Sequence, residues 1–214
     1  ESFNHELVFI VSAKEEEFYD FDKKNFINYS IKKNIPFFNN KLFLDSKKII
    51  EDLNADICIS VNYPHLIPCD FLNIFKYGVL NAHGGELPKY KGNACINWSI
   101  LNFEKFAGIT IHQMTKKLDE GPIYLKKKIK LNNDFYVQEF YDWFYKVIPQ
   151  MFLETLKKIE KGKKPSKQEN RSDNIRCYPR KPNDSIIDWR IEAKNIHALI
   201  RASSRPFSGA ICFT

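Results

Sequence analysis

Three residue types that suit acyl transfer to an amine occur in the middle of the chain, two of them close together and the third 36 residues further on. Asn81 and His83 stand two residues apart, and Asp119 follows in the segment Leu-Asp-Glu-Gly. An amide can donate a hydrogen bond to a carbonyl oxygen as negative charge develops there. An imidazole can move a proton near neutral pH, and a carboxylate can orient the imidazole or accept the amine's proton, directly or through water.

The surroundings of this set indicate the end of a buried strand. Asn81 closes the apolar stretch 77–80, and ligands of open parallel sheets bind beyond the carboxyl ends of the strands. The loop that follows, residues 83–93, holds three of the chain's eight glycines. Such a cluster indicates that the backbone approaches something closely. A wide turn without a ligand is the alternative.

Alternating strand and helix patterns along the chain predict an α/β fold with a parallel sheet. The predicted strands are 6–11, 35–38, 56–61, 79–81, 108–114 and 123–129. The predicted helices are 25–33, 44–53, 70–72, 97–101 and 137–161. Asp45 or Ser46 is the predicted N-cap of the second of these helices. The last helix carries an apolar stripe typical of core: Trp143, Phe144, Val147, Met151, Phe152 and Leu156.

Composition limits the function classes. A chain of 214 residues with 43% apolar residues can bury one substantial core. No apolar run reaches the roughly 18 residues of a membrane span, and the first residues are no signal peptide. Five scattered cysteines without a Cys-x-x-Cys pair argue against a disulfide framework and a zinc site, and favour the cytoplasm. We predict no metal.

The net charge, His112 and Cys95 say less about function than the motifs do. The net charge of +7 lies largely in residues 156–164 and 176–181, which fit either a solvated face or attraction of an anionic substrate. His112 falls within a predicted strand, and we assign it a structural role. Cys95 follows the glycine loop, but no neighbour in sequence marks an activated thiolate.

Three stretches together resemble the catalytic domain of the folate-dependent formyltransferases: NAHGGELPKYKGNACINWSILN, GITIHQM and LDEGPI. This family includes methionyl-tRNA formyltransferase, glycinamide ribonucleotide formyltransferase and the sugar N-formyltransferases. The resemblance covers residues 5–214 and implies a Rossmann-like, mostly parallel sheet flanked by helices. Lys91 stands where the family usually has arginine. Lysine lacks the planar pair of hydrogen-bond donors that the arginine guanidinium provides.

The resemblance also implies a division of the chain. Residues 1–165 correspond to the catalytic domain without its first strand and helix, and residues 166–214 to a linker and the beginning of a C-terminal region. We therefore expect a chain that is shortened at both ends. A homodimer is expected only by analogy with relatives.

The mechanism implied by the resemblance is direct transfer from N10-formyltetrahydrofolate, without a covalent enzyme intermediate. Asn81 and His83 would stabilise the developing oxyanion, while Asp119 would hold His83 and receive the amine's proton through water. Positions that match the family's folate contacts, mainly through the backbone, are His65, Leu66, Ile67, Gln113 and Leu118. Leu66 and Ile67 are equally consistent with core positions.

The acceptor is inferred from local patterns. Residues 84–88 and 178–184 resemble the sugar enzymes, and residues 14–22 are acidic where tRNA enzymes carry a basic insertion, so phosphates would be repelled. We predict a nucleotide-linked amino sugar, a dTDP-linked 4-amino-4,6-dideoxyhexose, used in lipopolysaccharide O-antigen synthesis. Its candidate contacts are Gly84, Gly85, Tyr90, Lys91 and Arg180.

Three alternatives stay open. The first is methionyl-tRNA formyltransferase, and the second is the purine-pathway enzyme. The third is a non-catalytic protein that binds folate or a nucleotide. The sequence argues against a membrane partner and against nucleic acid.

Overall fold

The computed structural model describes residues 5–13, 23–39, 46–169 and 172–213. The chain divides into two compact units, Glu1–Val79 and Leu80–Thr214. The predicted boundary after residue 165 lies within the second unit, and it stays a prediction. Two sequence-based assignments, Asp45 as an N-cap and the acidic segment 14–22, lie outside the described residues.

The first unit alternates short strands and helices. Its elements are β1 (Ile10–Ser12), α1 (Lys23–Lys33), β2 (Phe37–Asn39), α2 (Lys47–Asp52), β3 (Cys58–Val61) and α3 (Cys69–Leu72). β1 and β2 pair in parallel, with Ile10 opposite Phe37. Ser46 stands at the N-cap of α2, but its side chain makes no capping hydrogen bond. The predicted strands and helices of this unit are confirmed wherever they are described. The strands and α2 are shorter than predicted, whereas α1 and α3 begin earlier.

The second unit carries the site residues on a mixed framework. Its first element is β4 (Val79–His83), whose first residue closes the first unit. The others are β5 (Tyr90–Gly92), α4 (Cys95–Leu101), β6 (Phe106–Gln113), β7 (Ile123–Lys130), α5 (Val137–Glu160), β8 (Ile175–Cys177) and α6 (Ala193–Ser203). β5 and β8 pair in parallel. β4 pairs antiparallel with β6, which pairs antiparallel with β7. The α/β class is confirmed, while the direction of β6 and the elements β5, β8 and α6 were not predicted.

The helix α5 supplies much of the core beneath the site. Its N-terminus is fixed by the Glu139 carboxylate, which accepts the Tyr136 N–H at 2.8 Å. Of the predicted stripe, three side chains are buried and three are half-buried: Phe144, Met151 and Phe152, then Trp143, Val147 and Leu156. Among the described helices, none is long and apolar enough to cross a bilayer.

Candidate active site

The pairing of β4 with β6 gathers four polar side chains on one face. Asn81 lies opposite His112, and His83 lies opposite Thr110. Side chains two residues apart on a strand share a face, so all four project to the same side. His83, Thr110 and His112 are buried, and Asn81 is half-buried. The sequence therefore folds Asn81 and His83 into a sheltered polar cluster.

Asp119 joins this cluster from the turn between β6 and β7. Its backbone has φ +52°, a left-handed conformation that aspartate tolerates better than most residues. The Asp119 Oδ2 atom accepts the Gly92 N–H at 2.8 Å and lies 3.6 Å from His83 Nδ1. Its Oδ1 atom lies 3.5 Å from His112 Nε2. The structure thus brings the three predicted catalytic residues together.

His112 connects the other polar groups of the site. Its Nδ1–H donates a hydrogen bond to the Gln113 carbonyl oxygen at 3.1 Å. Its Nε2 atom lies 3.3 Å from the Asn81 amide nitrogen, so it stands between Asn81 and Asp119. Sequence reasoning gave His112 only a structural role. Its position opposite Asn81 in the antiparallel register is the signal that reveals this contact.

His83 has two differently engaged ring nitrogens. The Nε2–H donates to the Tyr90 carbonyl oxygen at 2.8 Å, which leaves Nδ1 facing Asp119. The Cys95 sulfur lies 3.6 Å from the same Nε2 atom. Hydrogen bonding to Cys177 and burial raise the pKa of the Cys95 thiol, so it stays protonated beside the imidazole. Cys95 therefore lacks the character of a nucleophile.

Burial and neighbouring charges set the protonation states of the pair. Burial opposes ionisation of Asp119, but the hydrogen bond with His112, the charge of His83 and the Gly92 N–H outweigh it and hold the pKa of Asp119 at about 2. Burial lowers the pKa of His83, although Asp119 and the Tyr90 carbonyl oppose this. Near neutral pH the site holds an ionised carboxylate beside a neutral imidazole.

A family model described as formyl transferase matches residues 4–156. This chain belongs to the folate-dependent formyl transferase family. Asn81, His83 and Asp119 all lie within the matched range. The described residues contain no group of three or more His, Cys, Asp or Glu side chains that could hold a metal ion.

Comparisons with individual proteins support the same fold. The bifunctional polymyxin resistance protein ArnA of Wigglesworthia glossinidia brevipalpis is 35% identical over 205 residues, which are 94% of this chain but only 30% of that protein. A 4-N formyltransferase from Francisella tularensis aligns with a TM-score of 0.72 at 18% identity, over 97% of this chain and 92% of that one. Methionyl-tRNA formyltransferase from Clostridium thermocellum gives the same TM-score and identity, over 97% and 88%. The Rossmann-like formyltransferase fold is confirmed.

The candidate substrate residues are engaged within the protein in different ways. The Tyr90 hydroxyl contacts the Glu104 carboxylate at 2.9 Å and accepts from the Asn102 amide, and its ring is buried. Lys91 pairs with Glu120 at 3.4 Å. Contact of these residues with substrate stays a prediction.

Arg180 has intramolecular partners on both terminal nitrogens. Its Nη1 donates to the Ala202 carbonyl at 3.2 Å, and its Nη2 donates to the Asp184 carbonyl at 2.6 Å. The Asn97 amide donates to the same Ala202 oxygen at 2.7 Å. Arg180 therefore ties the segment before α6 to the end of that helix. Its predicted contact with substrate stays a prediction.

The candidate folate residues belong to both units. His65, Leu66 and Ile67 lie in the first unit, between β3 and α3, and Leu66 is 84% exposed. That exposure argues against a core position for Leu66. Gln113 ends β6, where its N–H donates to the Pro122 carbonyl at 2.9 Å, and Leu118 is half-buried before Asp119. Their folate contacts stay predictions.

The depressed pKa of His83 predicts that the protein loses stability as pH falls below neutral. The unfolded chain binds a proton on His83 near pH 6.5, while the folded chain resists protonation, so the free energy of unfolding falls as pH drops from about 7 towards the lower folded pKa. One such proton contributes a slope of at most about 1.4 kcal/mol per pH unit. Urea unfolding at a series of pH values from about 7 downwards measures the slope.

The variant His83→Gln isolates this contribution. Asp119 does not interfere, because it affects stability only at lower pH. Its folded pKa of about 2 lies below its unfolded pKa, so its stabilising effect is lost as pH falls from the unfolded pKa to the folded one. A shallower slope in His83→Gln than in the parent is expected. Equal slopes in the two proteins would show that His83 is not held neutral by the fold.

Proposed function

We propose that this chain is the catalytic part of an N-formyltransferase that uses N10-formyltetrahydrofolate and a nucleotide-linked amino sugar. The observation that carries the proposal is the cluster of Asn81, His83 and Asp119, held on one sheltered face in a chain of the formyl transferase family. A half-buried amide donor and an ionised carboxylate, with His112 between them, fit a reacting carbonyl and an attacking amine.

Each residue has a distinct part in the proposed reaction. The acceptor amine bonds to the formyl carbon, the bond from that carbon to N10 of the folate breaks, and N10 takes up one proton as the amine loses one. Asn81 donates from its amide to the formyl oxygen as negative charge develops there, an effect worth about 3 kcal/mol per donor in other acyl transfers. The His83 Nε2–H, which the family resemblance would also direct at that oxygen, is engaged by the Tyr90 carbonyl. The donor role therefore falls first to Asn81.

Asp119 and His83 handle the proton that leaves the attacking amine. The Asp119 carboxylate is ionised at neutral pH and lies 3.6 Å from the free Nδ1 atom of His83. A proton that reaches His83 Nδ1, directly or through water, is stabilised by the negative charge of Asp119, and the carboxylate can itself accept a proton. His112 and the Gly92 N–H keep the carboxylate in place. No nucleophilic side chain is needed in this scheme.

The glycine loop and the segment 178–184 favour a sugar acceptor over tRNA, because both resemble the sugar enzymes. Within that class we propose a dTDP-linked 4-amino-4,6-dideoxyhexose. Fold likeness does not fix the position of the amine, because a 4-N formyltransferase and a sugar 3N-formyl transferase both align with this chain. Fold likeness alone does not separate the acceptors, since the tRNA enzyme aligns equally well.

The test is turnover with N10-formyltetrahydrofolate and parallel acceptors: a dTDP-4-amino-4,6-dideoxyhexose, its UDP-linked counterpart and methionyl-tRNA. The assay uses this chain and the full product of its gene. Formylation of a sugar supports the proposal, and the two nucleotides identify the base. Formylation of the tRNA alone would overturn the acceptor. Folate binding without transfer to any acceptor would favour the non-catalytic alternative.

A further inference from the structure

A segment beyond α5 returns to the site and lies beside the turn that carries Asp119. Ser166 forms an antiparallel bridge with Ile123 at the start of β7. Its two hydrogen bonds, Ile123 N–H to the Ser166 oxygen and Ser166 N–H to the Ile123 oxygen, measure 2.8 and 2.9 Å. The bridge fixes the backbone two residues before Gln168. Gln168 is therefore placed by the fold and not by a free loop.

The Gln168 side chain makes two hydrogen bonds to this turn. Its Nε2 atom donates to the Asp119 carbonyl oxygen at 2.8 Å and to the Gly121 carbonyl oxygen at 2.7 Å. An amide nitrogen has two protons, so both bonds form at once. The opposite orientation would place the amide oxygen against two carbonyl oxygens. The contacts therefore fix the direction of the amide.

The turn of residues 119–121 is also held in place by its packing against β6. A Cβ atom added at Gly121 would lie 1.7 Å from the Gln113 carbonyl oxygen, so the turn packs directly on the end of β6. Asp119 has φ +52°, which a surrounding structure must maintain. Gln168 contacts the backbone of Asp119, while the Gly92 N–H contacts its carboxylate.

We propose that Gln168 is a positioning residue for Asp119. Its two-donor amide holds the turn in the conformation that presents the carboxylate to His83 and His112. Gln168 lies outside the residues 4–156 that match the family model. The catalytic consequence rests on the proposed function, whereas the placement of Asp119 does not. Gln168 touches no reacting atom in this scheme and acts through the backbone of residues 119–121.

Two variants test this role against a matched control. Gln168→Ala removes both hydrogen bonds, and Gln168→Glu keeps the shape but sets a carboxylate oxygen against two carbonyl oxygens. Both should lower kcat by about 10- to 100-fold, because small displacements of a reacting group are costly. The KM values of both substrates should stay within about twofold, since ground-state binding is untouched. Glu169→Gln, at the exposed next position, should match the parent.

A second measurement does not depend on activity. In NMR titrations of labelled histidine, displacement of Asp119 in the Gln168 variants should move the His83 midpoint to lower pH, because the charge that favours its protonated form recedes. Folded variants with the parent's kcat and the parent's His83 midpoint would overturn the proposal. A lower kcat with an unchanged midpoint would also overturn it. If the parent transfers no formyl group, the proposed function fails, and the titration still decides the placement of Asp119.

Discussion

Asp119→Asn should lower kcat by about 1,000-fold while folate binding persists, because the change removes a charge and little else. Asparagine tolerates the φ of +52° at this position, and its side-chain oxygen can still accept the Gly92 N–H. The parent carboxylate, with a pKa of about 2, is ionised throughout the working range. Single-turnover formyl transfer and folate titration measure the two effects separately.

Glu120→Gln provides the control for Asp119→Asn. It removes one negative charge at the next position, where the carboxylate contacts Lys91 and Lys117 and not the imidazoles. A change of less than about threefold in kcat is expected, as for other exposed charge contacts. If Asp119→Asn retained parental turnover, proton transfer through Asp119 would be wrong. If it lost folate binding as well, Asp119 would serve binding and not the chemical step.

The sequence predicted the candidate catalytic set because its signal is local. Asn81 and His83 are two residues apart at the end of an apolar stretch, so a strand places both on one face whatever its partner. Asp119 was found through the segment that resembles the family, and the structure brings it to His83 and His112. The fold class followed in the same way from alternating strand and helix patterns.

The residues that support this set could not be found from local pattern. His112 contacts Asn81 only because β4 and β6 are antiparallel in a register that aligns the two residues. A shift of one residue would turn His112 to the other face, and no short-range feature fixes that register. Gln168 reaches Asp119 across a long stretch of chain, by way of the Ser166 bridge. Such contacts depend on tertiary packing.

The cluster of glycines in residues 83–93 predicted a close approach of the backbone, but the sequence did not show which group the backbone approaches. Close backbone approach was predicted, and at Gly85 the structure shows that approach within the protein. A Cβ atom added there would lie 2.4 Å from His83 Nε2 and 2.6 Å from the Tyr90 carbonyl oxygen. Gly85 therefore leaves room for the hydrogen bond that orients His83. A purely ligand-binding role for this glycine is not required.

Gly85→Ala should accordingly disturb both the fold and the reaction. The loop has no simple way to retreat, because the Gly85 carbonyl accepts the Thr110 hydroxyl at 2.8 Å and the Leu87 N–H donates to the same hydroxyl. We expect the free energy of unfolding to fall by about 1–3 kcal/mol from overpacking. Displacement of the imidazole should lower kcat by about 100-fold. Urea unfolding and steady-state kinetics measure the two effects.

Gly84→Ala is the matched control for the stability effect, because it adds the same methyl group one residue earlier. There the new Cβ would lie 3.6 and 3.7 Å from the rings of Phe140 and Phe144, which are ordinary contacts. The free energy of unfolding should stay within about 0.5 kcal/mol of the parent. Equal destabilisation by both substitutions would contradict the specific role of Gly85. It would mean that the whole loop excludes side chains for a reason other than the orientation of His83.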